Sequence, residues 1–185
     1  MADKAELTTR PGLIGKKVYL RPATPADIES TYHWKLAQDP QSMTCRPHNF
    51  DTAEEAAKKY EKRDEDPSRC LFAIVRKKDD TMVGTVQFFD YNPLNRSAEL
   101  GVLVDPDEQR KGYGSEGLEL LSSYLFHYRG LNKVYAQTAA FNMGAIKLLE
   151  KLGFKKDATL RDHYFWDGSF YNGMIYSLLL FEVGR

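Results

Sequence analysis

Gln109-Arg110-Lys111-Gly112-Tyr113-Gly114 is the segment whose residue types and spacing point most directly to chemistry. Glycines at alternate positions let a backbone approach a ligand closely and turn its N–H groups inward. The segment follows an apolar run at residues 100–104 and a short polar arm at 105–108, and it opens onto a strongly periodic helical stretch. A helix start adds N–H groups without intrahelical partners and the positive end of a dipole. With the charges of Arg110 and Lys111, this makes an anion site suited to a phosphate or pyrophosphate.

Three other glycine-loop chemistries fit less well. Gly112-x-Gly114-x-x-Gly117 matches the dinucleotide fingerprint formally, but a charged arm separates it from the strand. The acid expected about 20 residues later is missing, since Gln137, Ala139 and Ala140 stand there. A Walker loop would end in Gly-Lys-Ser/Thr, which is absent. Ser115 has Gly117 after it but Tyr113 before it, so the nucleophile-elbow pattern fails. The remaining alternative is a ligand-free helix start, although an exposed turn has no need of so many glycines.

Glu99 is the carboxylate that stands out. It interrupts an otherwise apolar strand, where a half-buried charge is unfavourable unless it is used. Strand alternation allows two readings, a cleft-facing base or a solvated residue paired with Arg96. The four histidines, His33, His48, His127 and His163, are scattered without ligand spacing, and Cys45-x-x-His48 is an isolated pair, so no metal site is expected. His127 serves the end of its helix. His163-Tyr164-Phe165-Trp166 reads as core packing or as a pocket wall shared with Trp34, Tyr91 and Asp90.

These residues must be positioned by strands and helices in a definite order. Residues 18–21 read as a first strand. Thr24-Pro25-Ala26-Asp27 starts a helix, with Thr24 as N-cap and Pro25 at the first helical position, running to about Gln38. A loop rich in Pro, Ser and Thr follows. Thr52-Ala53-Glu54-Glu55 is a capping box for a second, mostly solvated helix with Glu54/Lys58 and Glu55/Lys59 pairs. Residues 71–75, 82–89 and 98–104 read as an antiparallel meander, the first two joined by Lys78-Asp79-Asp80.

The helix after the glycine loop carries Leu118, Leu121, Leu125 and Tyr128 on one stripe and stops at Gly130. Residues 134–138 form the next strand, parallel to 98–104 because a long crossover joins them. Asn142 caps a short helix with Ile146, Leu149 and Leu152 on one face, ended by Gly153-Phe154. Asp167-Gly168 turns a hairpin between residues 159–166 and 174–181. The order is β-α-α-β-β-β-α-β-α-β-β, an α/β (α+β) fold with a mixed sheet.

Composition excludes several classes. At 185 residues the chain suits one domain with a full core, expected over residues 16–185 after a flexible tail at 1–15. A formal net charge of +0 gives no global field for nucleic acid or an anionic membrane. Two cysteines make no disulfide framework, the first residues carry no apolar signal core, and the apolar stretch at 174–181 is too short to span a bilayer. A cytoplasmic protein is expected, as a monomer or homodimer.

The sequence also resembles the GNAT N-acetyltransferase superfamily. The resemblance rests on Gln109-x-x-Gly112-x-Gly114 after a strand, Asn142 at the next strand end, and Leu148-x-x-x-Leu152-Gly153-Phe154. It is nearest the ribosomal-protein-alanine and spermidine N-acetyltransferase branches, through Leu20-Arg21-Pro22, Ala98-Glu99-Leu100-Gly101 and Asp167-Gly168 with Tyr176-Ser177. It covers the chain from about residue 17 to 182.

The resemblance implies acetyl-CoA as cosubstrate, with the central parallel strands splayed around it. It places the pyrophosphate on the amides of Arg110, Lys111, Gly112, Tyr113 and Gly114, behind Gln109 and at the helix start by Ser115. The amide-rich pantetheine arm would pair along Val102, Leu103 and Val104 as an added strand, held also by the Asn142 side chain. The thioester oxygen would meet backbone N–H near Val102 or Leu103. Glu99 would be the general base for a primary amine, directly or through a water.

Two positions depart from the family. Leucine stands at 149, where many members carry a proton-donating tyrosine, and alanine at 145, where the alanine-acetylating branch often has serine. Tyr113, Tyr135 or Tyr164 could serve instead, or the thiolate leaves unaided, which a thiol pKa of about 8.5 tolerates. The departure also admits a second class, a catalytically weak CoA-binding sensor. The acceptor stays open among polyamine, protein N-terminus, aminosugar and antibiotic amine. The acids at 61–66 cluster, but on a helix read as solvated.

Overall fold

The computed structural model describes residues 13–37, 51–64 and 66–183. The loop after the first helix and the Cys45–His48 pair lie outside them. Seven strands and four helices follow one another as β1 (Val18–Pro22), α1 (Pro25–Ala37), α2 (Ala53–Asp64), β2 (Cys70–Arg76), β3 (Thr81–Asn92), β4 (Ser97–Val104), α3 (Tyr113–His127), β5 (Lys133–Ala139), α4 (Met143–Lys151), β6 (Lys155–Trp166) and β7 (Ser169–Leu179) among the described residues. This is the order read from the sequence.

Local chemistry sets the element ends. Thr24 Oγ1 accepts the Asp27 N–H at 3.3 Å, and the Asp27 carboxylate accepts the Thr24 N–H at 2.7 Å, closing a reciprocal cap on α1. Thr52 and Glu55 do the same for α2, at 2.8 and 3.1 Å. Glu54 and Lys58 form the expected pair, whereas Lys59 turns to Asp51. Leu149 and Glu150 accept the N–H groups of Phe154 and Gly153, ending α4 in a Schellman motif. Asp167 and Gly168, at φ 46° and 75°, turn the β6–β7 hairpin.

The strands make one sheet in the order β1-β2-β3-β4-β5-β7-β6. β1 to β4 pair antiparallel, β4 and β5 pair parallel, and β7 inserts between β5 and β6. Leu118, Leu121 and Leu125 bring α3 onto the sheet, each at most 2% exposed. Full burial of such a side chain is worth roughly 1.5–3 kcal/mol. They join Ile74, Val86, Leu100, Val134, Ile146, Leu149 and Phe154 in one core.

Three expectations shift. Tyr128 is 56% exposed and stacks on Tyr124 beyond the end of α3, instead of continuing the stripe. Ten residues make about 2.8 turns, leaving it about 80° off the line begun at Leu118. β6 begins at Lys155, because charged residues on an outer strand carry no apolar signal. At the N-terminal side, Leu13 is buried and its carbonyl accepts the Leu20 N–H at 2.8 Å, so chain assigned to the tail packs on β1.

Candidate functional site

The segment after β4 takes a shape that only some residues allow. Asp105 caps a short turn at Pro106–Glu108 by accepting the Asp107 N–H. Arg110 and Gly112 are left-handed, at φ 62° and 90°, and the glycine is the residue type that holds such a φ without strain. Alternation of right- and left-handed residues points successive N–H groups to one side, an anion-binding nest. α3 starts at Tyr113, so the first-turn amides of Tyr113, Gly114 and Ser115 lie next to it. Gly114 has a different reason for being glycine. A Cβ on it would fall 2.8 Å from Val104 Cγ2, so it lets the helix start sit on β4.

Charge at the loop is arranged differently from the sequence expectation. The Lys111 ammonium donates to Glu108 at 2.8 Å and to the Asp107 carbonyl at 3.0 Å, and Arg76 also holds Glu108, at 2.9 Å. Lys111 first, then Arg76, keeps the Glu108 carboxyl below its ordinary range. The Gln109 amide reaches only to the Val104 carbonyl, at 3.5 Å. Lys17, which the sequence reading missed, comes in from the start of β1. Its Nζ donates to the Lys111 carbonyl at 3.1 Å and lies 3.5 Å from where a Gly112 Cβ would be. Nothing local in the sequence signals this, because the two lysines are 94 residues apart.

The parallel pair is a fork. β5 contributes three rungs to β4, Ser97↔Lys133, Ala98↔Val134 and Glu99↔Tyr135, and none beyond. Past the fork, β4 keeps its β3 ladder through Val104, and β5 keeps its β7 ladder through Ala139. Residues 100–104 therefore present one edge to a gap rather than to a strand. Val102 and Val104 turn their side chains to Gly114. By alternation Glu99, Gly101 and Leu103 face the opposite side, where Gln87 and Phe89 flank Gly101.

Glu99 stands at the apex of the fork on that second face, opposite the buried Ala98 and Leu100. Arg96, its alternative partner, donates Nε to the Gly130 carbonyl at 2.6 Å. Burial, then the charges of Glu99 and Asp90, push the Tyr135 phenol above its ordinary value, and Glu99 is its register partner across the fork.

Asn142 caps α4, its Oδ1 accepting the Ala145 N–H at 3.1 Å, and it sits at the end of β5 on the far arm of the fork. Leu149 is buried in the core. Tyr113 lies under the Arg76 guanidinium, 5.9 Å from ring centre to carbon. The Gln137 amide donates to Tyr164 at 2.8 Å and lies 2.8 Å from His163 Nε2. Trp166 packs on Phe141 and Tyr171, while Phe165 and Phe170 pair in solvent at 54% and 63% exposure, so this aromatic run is not core. Trp34 is buried, and Tyr91 packs on Phe88 beneath Arg129. Among the described residues, no three His, Cys, Asp or Glu side chains gather as a metal site, and no helix is long and apolar enough to cross a membrane.

The acetyltransferase (GNAT) domain family matches residues 17–155. The uncharacterized N-acetyltransferase YoaA of Bacillus subtilis is 31% identical over 108 residues, covering 58% of this chain and 61% of that protein, so the match spans less than two thirds of YoaA. The probable N-acetyltransferase YjcK of Bacillus subtilis is 27% identical over 174 residues, 90% of this chain and 96% of that one. Among solved structures, the spermidine N-acetyltransferase of Vibrio cholerae in complex with CoA and spermine superposes with a TM-score of 0.83 at 21% identity, covering 91% of this chain and 98% of that chain.

Proposed function

The chain belongs to the GNAT family of acetyltransferases, and from that premise we propose that it moves an acetyl group from acetyl-CoA to a primary amine by direct attack in a ternary complex. Residues 16–185 act as one domain in this reading. The observation that carries it is the continuity of β4, whose one end opens the fork at Glu99 and whose other end runs into the left-handed pair Arg110 and Gly112.

The residues present fit the cosubstrate. The gap edge of β4 at Val102, Leu103 and Val104 suits an amide-bearing arm added as a strand. The amides of Arg110, Lys111, Gly112, Tyr113, Gly114 and Ser115, with Gln109 ahead of them and Lys17 beside them, suit a pyrophosphate. Asn142 holds the arm from the β5 side.

The acceptor enters from the face that carries Glu99. An alkylammonium has a pKa near that of lysine, about 10.4, so it must lose a proton before attack. Glu99 receives that proton, directly or through a water. Backbone N–H at Val102 or Leu103 stabilises charge on the carbonyl oxygen. The negative charges of Glu99 and Asp90, both of which raise the Tyr135 phenol after burial, favour a cationic amine. The solved relative bound to spermine makes polyamines the first acceptors to test. The regulatory alternative gains no support from the fold or the relatives.

The test is release of free CoA thiol over many turnovers with a panel of polyamines, peptide N-termini, aminosugars and aminoglycosides. Sustained release with one class supports the reading and names the acceptor. CoA binding with background release across the panel supports the sensor instead.

A further inference from the structure

We propose that Tyr135 is the proton donor to the departing thiolate, the role left vacant by leucine at 149. The assignment rests on the acetyl-transfer reading above and deepens it.

Position separates the three tyrosines. Tyr113 is held at the helix start beside Arg76, beyond the pyrophosphate end of the site. Tyr164 lies on β6, one strand beyond β7, where Gln137 donates to its hydroxyl. Tyr135 alone belongs to the last rung of the fork, register partner of Glu99. An arm lying along residues 102–104, with its phosphates at 110–115, directs its thioester end towards that rung. The amine-side base and the phenol are then neighbours at one reacting carbon.

The step balances. The amine nitrogen bonds to the acetyl carbon, the C–S bond breaks, and its electron pair goes to sulfur. Glu99, which has already passed the ammonium proton on to solvent, takes the second nitrogen proton, and the Tyr135 hydroxyl proton passes to sulfur. The Glu99 proton then restores the phenol, so one proton goes from the neutral amine to the thiol and the ammonium proton goes to solvent.

Electrostatics times these events. Burial, then the charges of Glu99 on β4 and Asp90 on β3, hold the phenol protonated; its register partner on β7 is the uncharged Ser177, and on its own strand and face Lys133 is ion-paired with Asp157. With both carboxylates charged, the phenol stays protonated. Once Glu99 takes the amine proton, one of those charges is gone and Tyr135 becomes a stronger acid, at the moment sulfur needs a proton.

The experiment compares the parent protein, Tyr135→Phe, Tyr164→Phe, and the parent with 3-fluorotyrosine, a more acidic phenol, at position 135. Tyr135→Phe is expected to lower kcat by about 10²-fold with the KM for acetyl-CoA unchanged, and Tyr164→Phe to keep most of the rate. The fluorinated protein, whose shape is nearly that of the parent, is expected to shift the basic limb of the kcat–pH profile to lower pH. A Tyr135→Phe rate within about threefold of the parent, a loss confined to KM for the amine, or an unmoved basic limb would overturn the assignment while leaving an active acetyltransferase. A parent that releases no thiol overturns the underlying reading as well.

Discussion

Gly114 lies against Val104, and a β-carbon built on it would fall 2.8 Å from Val104 Cγ2 and 3.5 Å from Val102 Cγ2. The start of α3 is thus seated on the strand whose far end carries Glu99. From the sequence, Gly114 is a residue for close approach of a ligand; the structure adds a packing role. Gly114→Val is therefore expected to destabilise the fold by about 1–3 kcal/mol through overpacking and to weaken acetyl-CoA binding by displacing the loop. Gly112→Ala isolates the loop, since its nearest neighbour is the flexible Lys17 and its φ of 90° is the main strain. Calorimetric titration with acetyl-CoA, alongside thermal melts, should show affinity falling in both variants. Unchanged affinity in Gly112→Ala would remove the nest from the site.

Arg21 and Asp27 give the fold an acid-sensitive clamp. Arg21 donates two hydrogen bonds to the Asp27 carboxylate, at 2.6 and 2.8 Å, joining β1 to α1. Burial pushes the Asp27 carboxyl up, but hydrogen bonds from Arg21 and Thr24 outweigh it and hold the carboxyl below its ordinary range. A carboxylate depressed in the folded state stabilises the fold above its unfolded pKa, about 3.9, and that stabilisation is lost as pH falls through the lower folded value. Urea midpoints measured across that acid range should decline in the parent, and Asp27→Asn should flatten that decline while lowering the midpoint at neutral pH. An identical pH slope in the two proteins would place the acid sensitivity elsewhere.

Leu149→Tyr, which restores the family's usual tyrosine, is expected to fail. Leu149 is 3% exposed and packed in the core. A ring with a hydroxyl there overpacks the site by about 1–3 kcal/mol. Thermal melts and turnover should show lower stability and no gain in rate. A rate increase would mean that the core opens to the thiolate at this position and that Tyr135 is not needed.

The legible parts of the fold are those fixed by short-range chemistry. Thr24-Pro25, Thr52 with Glu55, Gly153-Phe154 and Asp167-Gly168 each satisfy backbone groups within a few residues, so their turns and caps could be placed from the chain alone. The glycine loop was legible for the same reason, except that the left-handed partner of Gly112 is Arg110, a residue type that gives little warning of positive φ. The three-rung fork was reached only through family resemblance, because the point where two strands part depends on tertiary geometry and not on any residue at 99 or 135. Lys17 and the placement of Tyr135 beside Glu99 depend on contacts between distant segments, which periodicity does not report.

The claim that the fork apex is the reaction centre is tested most directly by the pH–rate profile of Glu99→Gln against the parent. The variant is expected to keep its fold and its acetyl-CoA affinity and to turn over about 10²-fold more slowly at neutral pH, with the deficit shrinking as pH rises and free amine forms without help. Equal rates at neutral pH would contradict the account, make Glu99 a structural residue of β4, and move the search for the base to Asp90.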